Sequence, residues 1–260
     1  MAVIHNDFKT INDKIKQNDK RIVESYIMTL IVAGILVLIA VIADRFNKTF
    51  LPFFCILGAL YAIYCFEKRV KAHSEQKAID ISGAEGENLA LTYLQLLDNR
   101  YHIITNAVLT HGDKRSEMDT IIVGPTGIYI CEVKNYKGFI YGNTSDQNLI
   151  QVKRDNYGNT FENPFYNPCK QVATHRYTLN GVLNDFGIDD IYINTCVFFT
   201  NPEASINIVN NNDCDCKVMT DGGNLVNHIR SGEEILQSWD VAAIVDDIKA
   251  SYENQTKLAQ

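Results

Sequence analysis

The sequence predicts an α/β domain whose mixed central sheet is flanked by helices, preceded by a pair of membrane-crossing helices. Three observations predict it. Two uncharged apolar runs, residues 26–43 and 50–66, stand close together near the start of the chain. Beyond residue 100, short runs of alternating, largely β-branched residues are separated by clusters of Gly, Pro, Asn and Asp, the pattern of strands and turns. Segments with helical apolar spacing precede and interrupt those runs, as they do in α/β folds.

Residues 1–25 are polar and mixed in charge, and Asn6, Phe8, Ile11, Ile15 and Ile22 give a thin apolar stripe that suits a short surface helix. The next runs carry no charge for 18 and 17 residues, each near the lower limit for crossing a hydrocarbon core about 30 Å thick. Only DRFNKT joins them, so a transmembrane helical hairpin over residues 26–66 is expected, with a hairpin buried in a soluble protein as the alternative. Five Lys or Arg precede the first run, and Lys68, Arg69, Lys71 and Lys77 follow the second, whereas the connecting loop has Arg45 and Lys48 beside Asp44. The positive-inside rule then gives a multi-pass protein of the inner or plasma membrane, with its N-terminus and its domain in the cytoplasm. Tyr61 and Tyr64 suit either interfacial anchoring or packing. Residues 67–81 read as a polar, helical linker, residues 82–220 as the folded domain, and residues 221–260 as a C-terminal helical extension.

Charge divides unevenly along the chain. Residues 1–77 hold 11 Lys/Arg against 7 Asp/Glu, and residues 78–260 hold 13 against 24. An acidic domain is not the electrostatic footprint of a general nucleic-acid binder, although a local basic strip can exist on one. Seven cysteines, two of them inside the apolar runs, argue for a reduced compartment without a disulfide framework. Cys214 and Cys216 form a CxC that lacks further zinc ligands at suitable spacing. No GxxxxGK[ST] or HExxH occurs, so nucleotide-driven motor activity and HExxH-type zinc hydrolysis have no support.

The chemistry points to residues 117–134, EMDTIIVGPTGIYICEVK. Two apolar runs flank GPTG, giving an antiparallel hairpin with strands near residues 118–123 and 128–134. If Gly124 lies opposite Gly127, Asp119 faces Glu132, and Asp119, Glu132 and Lys134 emerge on one face. Two carboxylates at a cross-strand distance repel unless a cation lies between them, and an oxygen-only site suits Mg²⁺ or Mn²⁺. A solvated strand end with an ordinary salt bridge is the plainer reading of the same residues.

Four pieces in order extend the pattern: GAEGE at residues 83–87, EMD at 117–119, EVKNYKGFIYGN at 132–143 and NPCKQVATH at 167–175. Asp, then thirteen residues on ExK, resembles the PD-(D/E)xK nuclease superfamily, and the surroundings resemble its nuclease-related domain (NERD) family. The resemblance implies a restriction-endonuclease-like fold and a metal-dependent nuclease, in which Asp119, Glu132 and Glu87 hold Mg²⁺ or Mn²⁺. It gives Lys134 a role in the chemical step, makes Gln171 an active-site residue that orients water or substrate, and leaves His175 as a supporting residue. Taken alone, Glu87 suits an N-terminal capping position on a helix, and Gln171 and His175 an ordinary polar helix face. The implied partner is nucleic acid, most simply DNA, with a protein partner as a means of delivering it. A membrane-tethered interaction module on the same fold is the competing function.

Elsewhere, residues 101–109 read as a strand, 111–117 as a loop, 138–142 and 149–152 as short strands and 168–183 as a helix. Residues 191–199 form an apolar strand and 216–219 an edge strand. Helices are expected at 224–229 and 241–252, with Ser231 and Glu234 at capping-box spacing before Ile235.

Overall fold

The computed structural model describes residues 1–5, 11–45, 51–155, 157–210 and 214–258. Residues 6–10 of the expected surface helix and 46–49 of the expected connecting loop lie outside the described residues. Two compact units are present, Ile11–Ala84 on the one hand and Met1–Thr10 with Glu85–Gln260 on the other.

The first unit contains helix α1 (Ile11–Arg45) and most of helix α2 (Leu51–Leu94). The two run antiparallel: Lys77 donates to Asp19 at 2.7 Å, His73 Nδ1 lies 3.0 Å from Asn18 Oδ1, and the Tyr26 and Phe66 rings are 5.6 Å apart. Within α1, Lys16–Ile42 is long and apolar enough to cross a membrane. Leu30, Leu38 and Val41 stand exposed along it, a continuous apolar surface that water does not favour. The expectation of two membrane-crossing helices is corrected to one among the described residues. The uncharged part of α2, residues 51–66, is about 24 Å of helix, short of a bilayer core about 30 Å thick, before Glu67, Lys68 and Arg69 end it.

The second unit follows in chain order. Strand β1 (Val3–His5) precedes α1, and after α2 come β2 (His102–His111), β3 (Lys114–Gly124), β4 (Gly127–Lys134), β5 (Gly138–Asn143), β6 (Asn148–Arg154) and β7 (Thr160–Tyr166). Helix α3 (Pro168–Asp185), β8 (Ile193–Phe199), β9 (Ala204–Val209), β10 (Lys217–Met219), α4 (Gly222–Arg230) and α5 (Ser238–Leu258) complete it. The main sheet has the order β1-β2-β3-β4-β8-β10 and is mixed: β2, β3 and β4 pair antiparallel, the other neighbours parallel. A smaller sheet runs β7-β6-β5-β9. The α/β class expected from the sequence is the observed one.

Apolar residues on both faces of β4 place it at the centre. Ile128 and Ile130 pack in a core with Val172 and Leu179 of α3 and Ile244 and Ile248 of α5. Tyr129, Cys131 and Val133 pack in a second core with Ala90 and Leu94 of α2 and Leu225 and Ile229 of α4. The sheet is thus covered on both sides, as its continuous apolar strands require.

Several local expectations change. Residues 114–117 belong to β3, because Gly112, at φ 57°, supplies the left-handed residue of a tight turn and Lys114 pairs with His111. Ser231 is the C-cap of α4, so it does not open a capping box. Glu87 lies deep inside α2, where no helix N-terminus exists for it to cap. Strands β1, β7 and β9 were not expected. None of the seven cysteines forms a disulfide.

Candidate active site

The hairpin register sets the site. Gly124 pairs with Gly127 and Thr120 with Cys131, the alignment expected from GPTG, and the β3–β4 ladder ends there. Gly124 is required at this point, since a Cβ would stand 2.1 Å from the Tyr101 ring. On the other side of β3, the β2 ladder pairs Thr105 with Thr120 and Ala107 with Met118 but skips Asn106 opposite Asp119. Asn106 has φ 55°, a left-handed kink that interrupts the ladder without inserting a residue, since the register is the same on both sides of it. Asp119 therefore stands where β3 is released from both neighbours. Its Oδ2 accepts the Val133 N–H at 2.8 Å, an amide that the next rung of the ladder would otherwise use.

Glu132, 1% exposed, points from β4 toward α3. Its Oε1 accepts a hydrogen bond from Lys134 Nζ at 2.6 Å, and its Oε2 lies 3.2 Å from His175 Nε2. Burial pushes the Glu132 carboxyl up, but the His175 hydrogen bond and the Lys134 charge outweigh it and hold the group below its ordinary value. Burial and then the Glu132 charge push Asp119 well above the carboxylate range; Lys134 opposes this, and Glu87 adds to it. Burial alone would lower Lys134, yet the Glu132 and Asp119 carboxylates keep its ammonium protonated to higher pH than usual. One lysine thus faces a surplus of carboxylate.

Glu87 reaches this field from α2. Gly86 beside it allows the close approach: a Cβ there would stand 2.8 Å from Asn135 Cβ and 2.9 Å from Thr200 Oγ1, just past the ends of β4 and β8. Helix α3 is fixed by its first residues. The Asn167 side chain caps the helix by accepting from Cys169 N, donates to the carbonyls of Asn143, Thr144 and Asp146, and is followed by Pro168 at the first helical turn. That anchorage brings His175 against Glu132. Gln171, one turn earlier and half-buried, makes no hydrogen bond to the cluster among the described residues. Sequence reasoning missed Thr200 and the Asn201–Asn135 hydrogen bond at 3.0 Å, whose signal is the TN that ends the apolar strand β8.

Two buried polar atoms near the cluster, His175 Nδ1 and Thr200 Oγ1, find no hydrogen-bond partner among the described residues. Such atoms are ordinarily met by water or an ion. Among the described residues no group of three His, Cys, Asp or Glu side chains converges on one point, because both Glu132 oxygens are turned to Lys134 and His175. A cation of the Mg²⁺ type needs no such group: it is commonly held by one or two carboxylates, with waters and substrate phosphate completing its shell. The surplus of carboxylate at Asp119 and Glu132 fits that chemistry.

Residues 82–200 match the family model described as the nuclease-related domain, NERD, a span that contains every residue of the cluster. An uncharacterized protein of Bacillus anthracis is 31% identical over 96 residues, 35% of this chain and 43% of that protein, so the chain spans less than half the length of that relative. No solved structure matches the chain.

Proposed function

Because residues 82–200 of this chain form a nuclease-related domain, we propose that the protein is a membrane-anchored, metal-dependent nuclease that hydrolyses phosphodiester bonds, most simply in DNA. The observation that carries this reading is the Asp119, Glu132 and Lys134 cluster, where two carboxylates share one ammonium and Asp119 is driven toward protonation. Asp119 and Glu132 hold Mg²⁺ or Mn²⁺, with the Val133 carbonyl and Glu87 nearest to complete the protein's share. The cation supplies Lewis acidity to a phosphate oxygen and a more acidic water. Lys134, kept charged by its two carboxylates, is suited to offset charge developing on the phosphate and not to take up a proton. His175 orients Glu132, and Gln171 is placed on the same helix to orient water or substrate. The apolar stretch of α1 is the part that anchors the chain in a membrane.

One observation favours a second reading. Both oxygens of Glu132 are already bonded within the protein, which suits an interaction module that keeps the fold without catalysis. Incubating the detergent-solubilised full chain with labelled single- and double-stranded DNA and RNA separates the two. The nuclease reading expects cleavage with Mg²⁺ or Mn²⁺, none with EDTA, and none from Lys134→Ala. Absence of cleavage on every substrate and with either metal would favour the interaction module.

A further inference from the structure

Beside the site, the open end of the small sheet forms a groove of about 500 Å³ lined by Lys137, Phe139, Lys153, Arg154, Phe161 and Glu203, among others. Phe139 and Phe161 are 41% and 49% exposed, far more than an apolar ring needs to be in a domain with two filled cores. The Phe139 ring is backed by Tyr141, stacked at 5.5 Å with an interplanar angle of 23°. Lys137, Lys153 and Arg154 are exposed, and none of them is in an ion pair among the described residues. Two neighbouring acids are committed elsewhere: Asp155 accepts from the Tyr157 and Asn159 amides, and Glu162 accepts from the Tyr141 hydroxyl. Among the described residues Glu203 is the only acid lining the groove.

We infer that this groove binds single-stranded DNA and feeds it to the cluster at the end of β4, an inference that rests on the nuclease reading for the fate of the strand but not for its binding. Three physical arguments converge. A polyanion approaching a domain with 24 acids against 13 bases over residues 78–260 is repelled except where cations gather, and here three gather without carboxylate partners. Exposed aromatic faces beside a cationic groove are what stacks and tracks an unpaired strand, whereas a duplex keeps its base faces buried. Lys137 follows Lys134 by three residues, so the two backbones are no more than about 11 Å apart. The groove thus answers the objection that the domain is too acidic for a nucleic-acid enzyme.

The test uses the full chain in detergent with EDTA present, so that no strand is cut, and measures fluorescence anisotropy of a labelled oligothymidylate. The inference expects binding that is stronger for the single strand than for a duplex of the same length or for oligouridylate. Phe139→Ala with Phe161→Ala is expected to weaken it at least fivefold. Lys153→Gln with Arg154→Gln is expected to reduce the slope of log K against log salt by about 1.4, two phosphate contacts' worth on a single strand. All four side chains are exposed, so the variants fold. Unchanged binding by both double variants would overturn the inference, as would duplex or RNA binding as tight as that of single-stranded DNA, or equal competition by polyglutamate or anionic vesicles. Groove-dependent binding by a chain that never cleaves would sink the nuclease reading alone. Cleavage with groove-independent binding would sink this inference alone.

Discussion

Asp119→Asn is predicted to stabilise the domain while weakening metal binding. Burial and then the neighbouring Glu132 charge raise the Asp119 carboxyl, Glu87 adds to them, and the Lys134 charge opposes them. At a carboxyl separation of about 5 Å, ordinary for adjoining strands, and an effective dielectric near 20, repulsion between two ionised carboxylates is about 3 kcal/mol. Lys134 and solvent offset part of that, leaving a gain of about 1–2 kcal/mol. The asparagine oxygen still accepts from Val133 N, so no hydrogen bond is lost. The sign with pH is fixed. A carboxyl raised in the fold takes up a proton on folding, so its penalty is absent below its unfolded pKa of about 4 and grows as pH rises through the raised folded value. Thermal unfolding of the full chain in detergent and EDTA, followed by Trp239, the only tryptophan, is expected to show equal midpoints near pH 4. By pH 8 the variant should melt about 2–8 °C higher. A variant that melts lower at pH 8, or a difference that does not change with pH, would refute the claim that Asp119 is an uncompensated carboxylate.

Other substitutions probe how the site is held. Gly86→Ala gains about 1 kcal/mol of helix propensity but places a methyl 2.8 Å from Asn135 Cβ, an overpacking worth about 1–3 kcal/mol; a melting point equal to or below wild type is expected, and a rise would show that α2 is not closely packed there. Asn106→Val should destabilise by about 1–3 kcal/mol, because a β-branched residue resists φ 55°, whereas Asn106→Gly should be near neutral in denaturant titration. Val37→Arg with Ile39→Arg in α1, each costing about 3 kcal/mol at a bilayer centre, should move the chain out of the carbonate-washed membrane pellet; retention there would show that α1 does not anchor it.

The features that carry the site were legible because they are local. GPTG between apolar runs determines the hairpin register, and through it the neighbourhood of Asp119, Glu132 and Lys134. Asn167 with Pro168 announces the start of α3, and so the placing of His175. What was hidden depends on distant partners. Val3–His5 becomes a strand only through parallel pairing with residues 102–104, and three residues carry no periodicity of their own. Strand β7 holds Pro164 at an edge of the small sheet, where a missing N–H is tolerated, so its sequence reads as a loop. The kink at Asn106 has no local signal, since only its position opposite Asp119 gives it meaning. The capping alternative for Glu87 fails because α2 runs unbroken past Gly83 and Gly86, glycines that a helix tolerates when packing demands a small residue.

The central claim is that Asp119 and Glu132 carry a divalent cation while Lys134 serves the chemical step. Calorimetric titration of the full chain with Mn²⁺ tests it most directly, run at two pH values in two buffers of different ionisation enthalpy. Wild type should bind the cation and release more proton at the lower pH, because the raised Asp119 carboxyl holds its proton to higher pH than an ordinary one. Lys134→Ala should bind at least as tightly, while Asp119→Asn and Glu132→Gln should bind at least tenfold more weakly. No binding by wild type, or weakening by Lys134→Ala to match the carboxylate variants, would contradict the account.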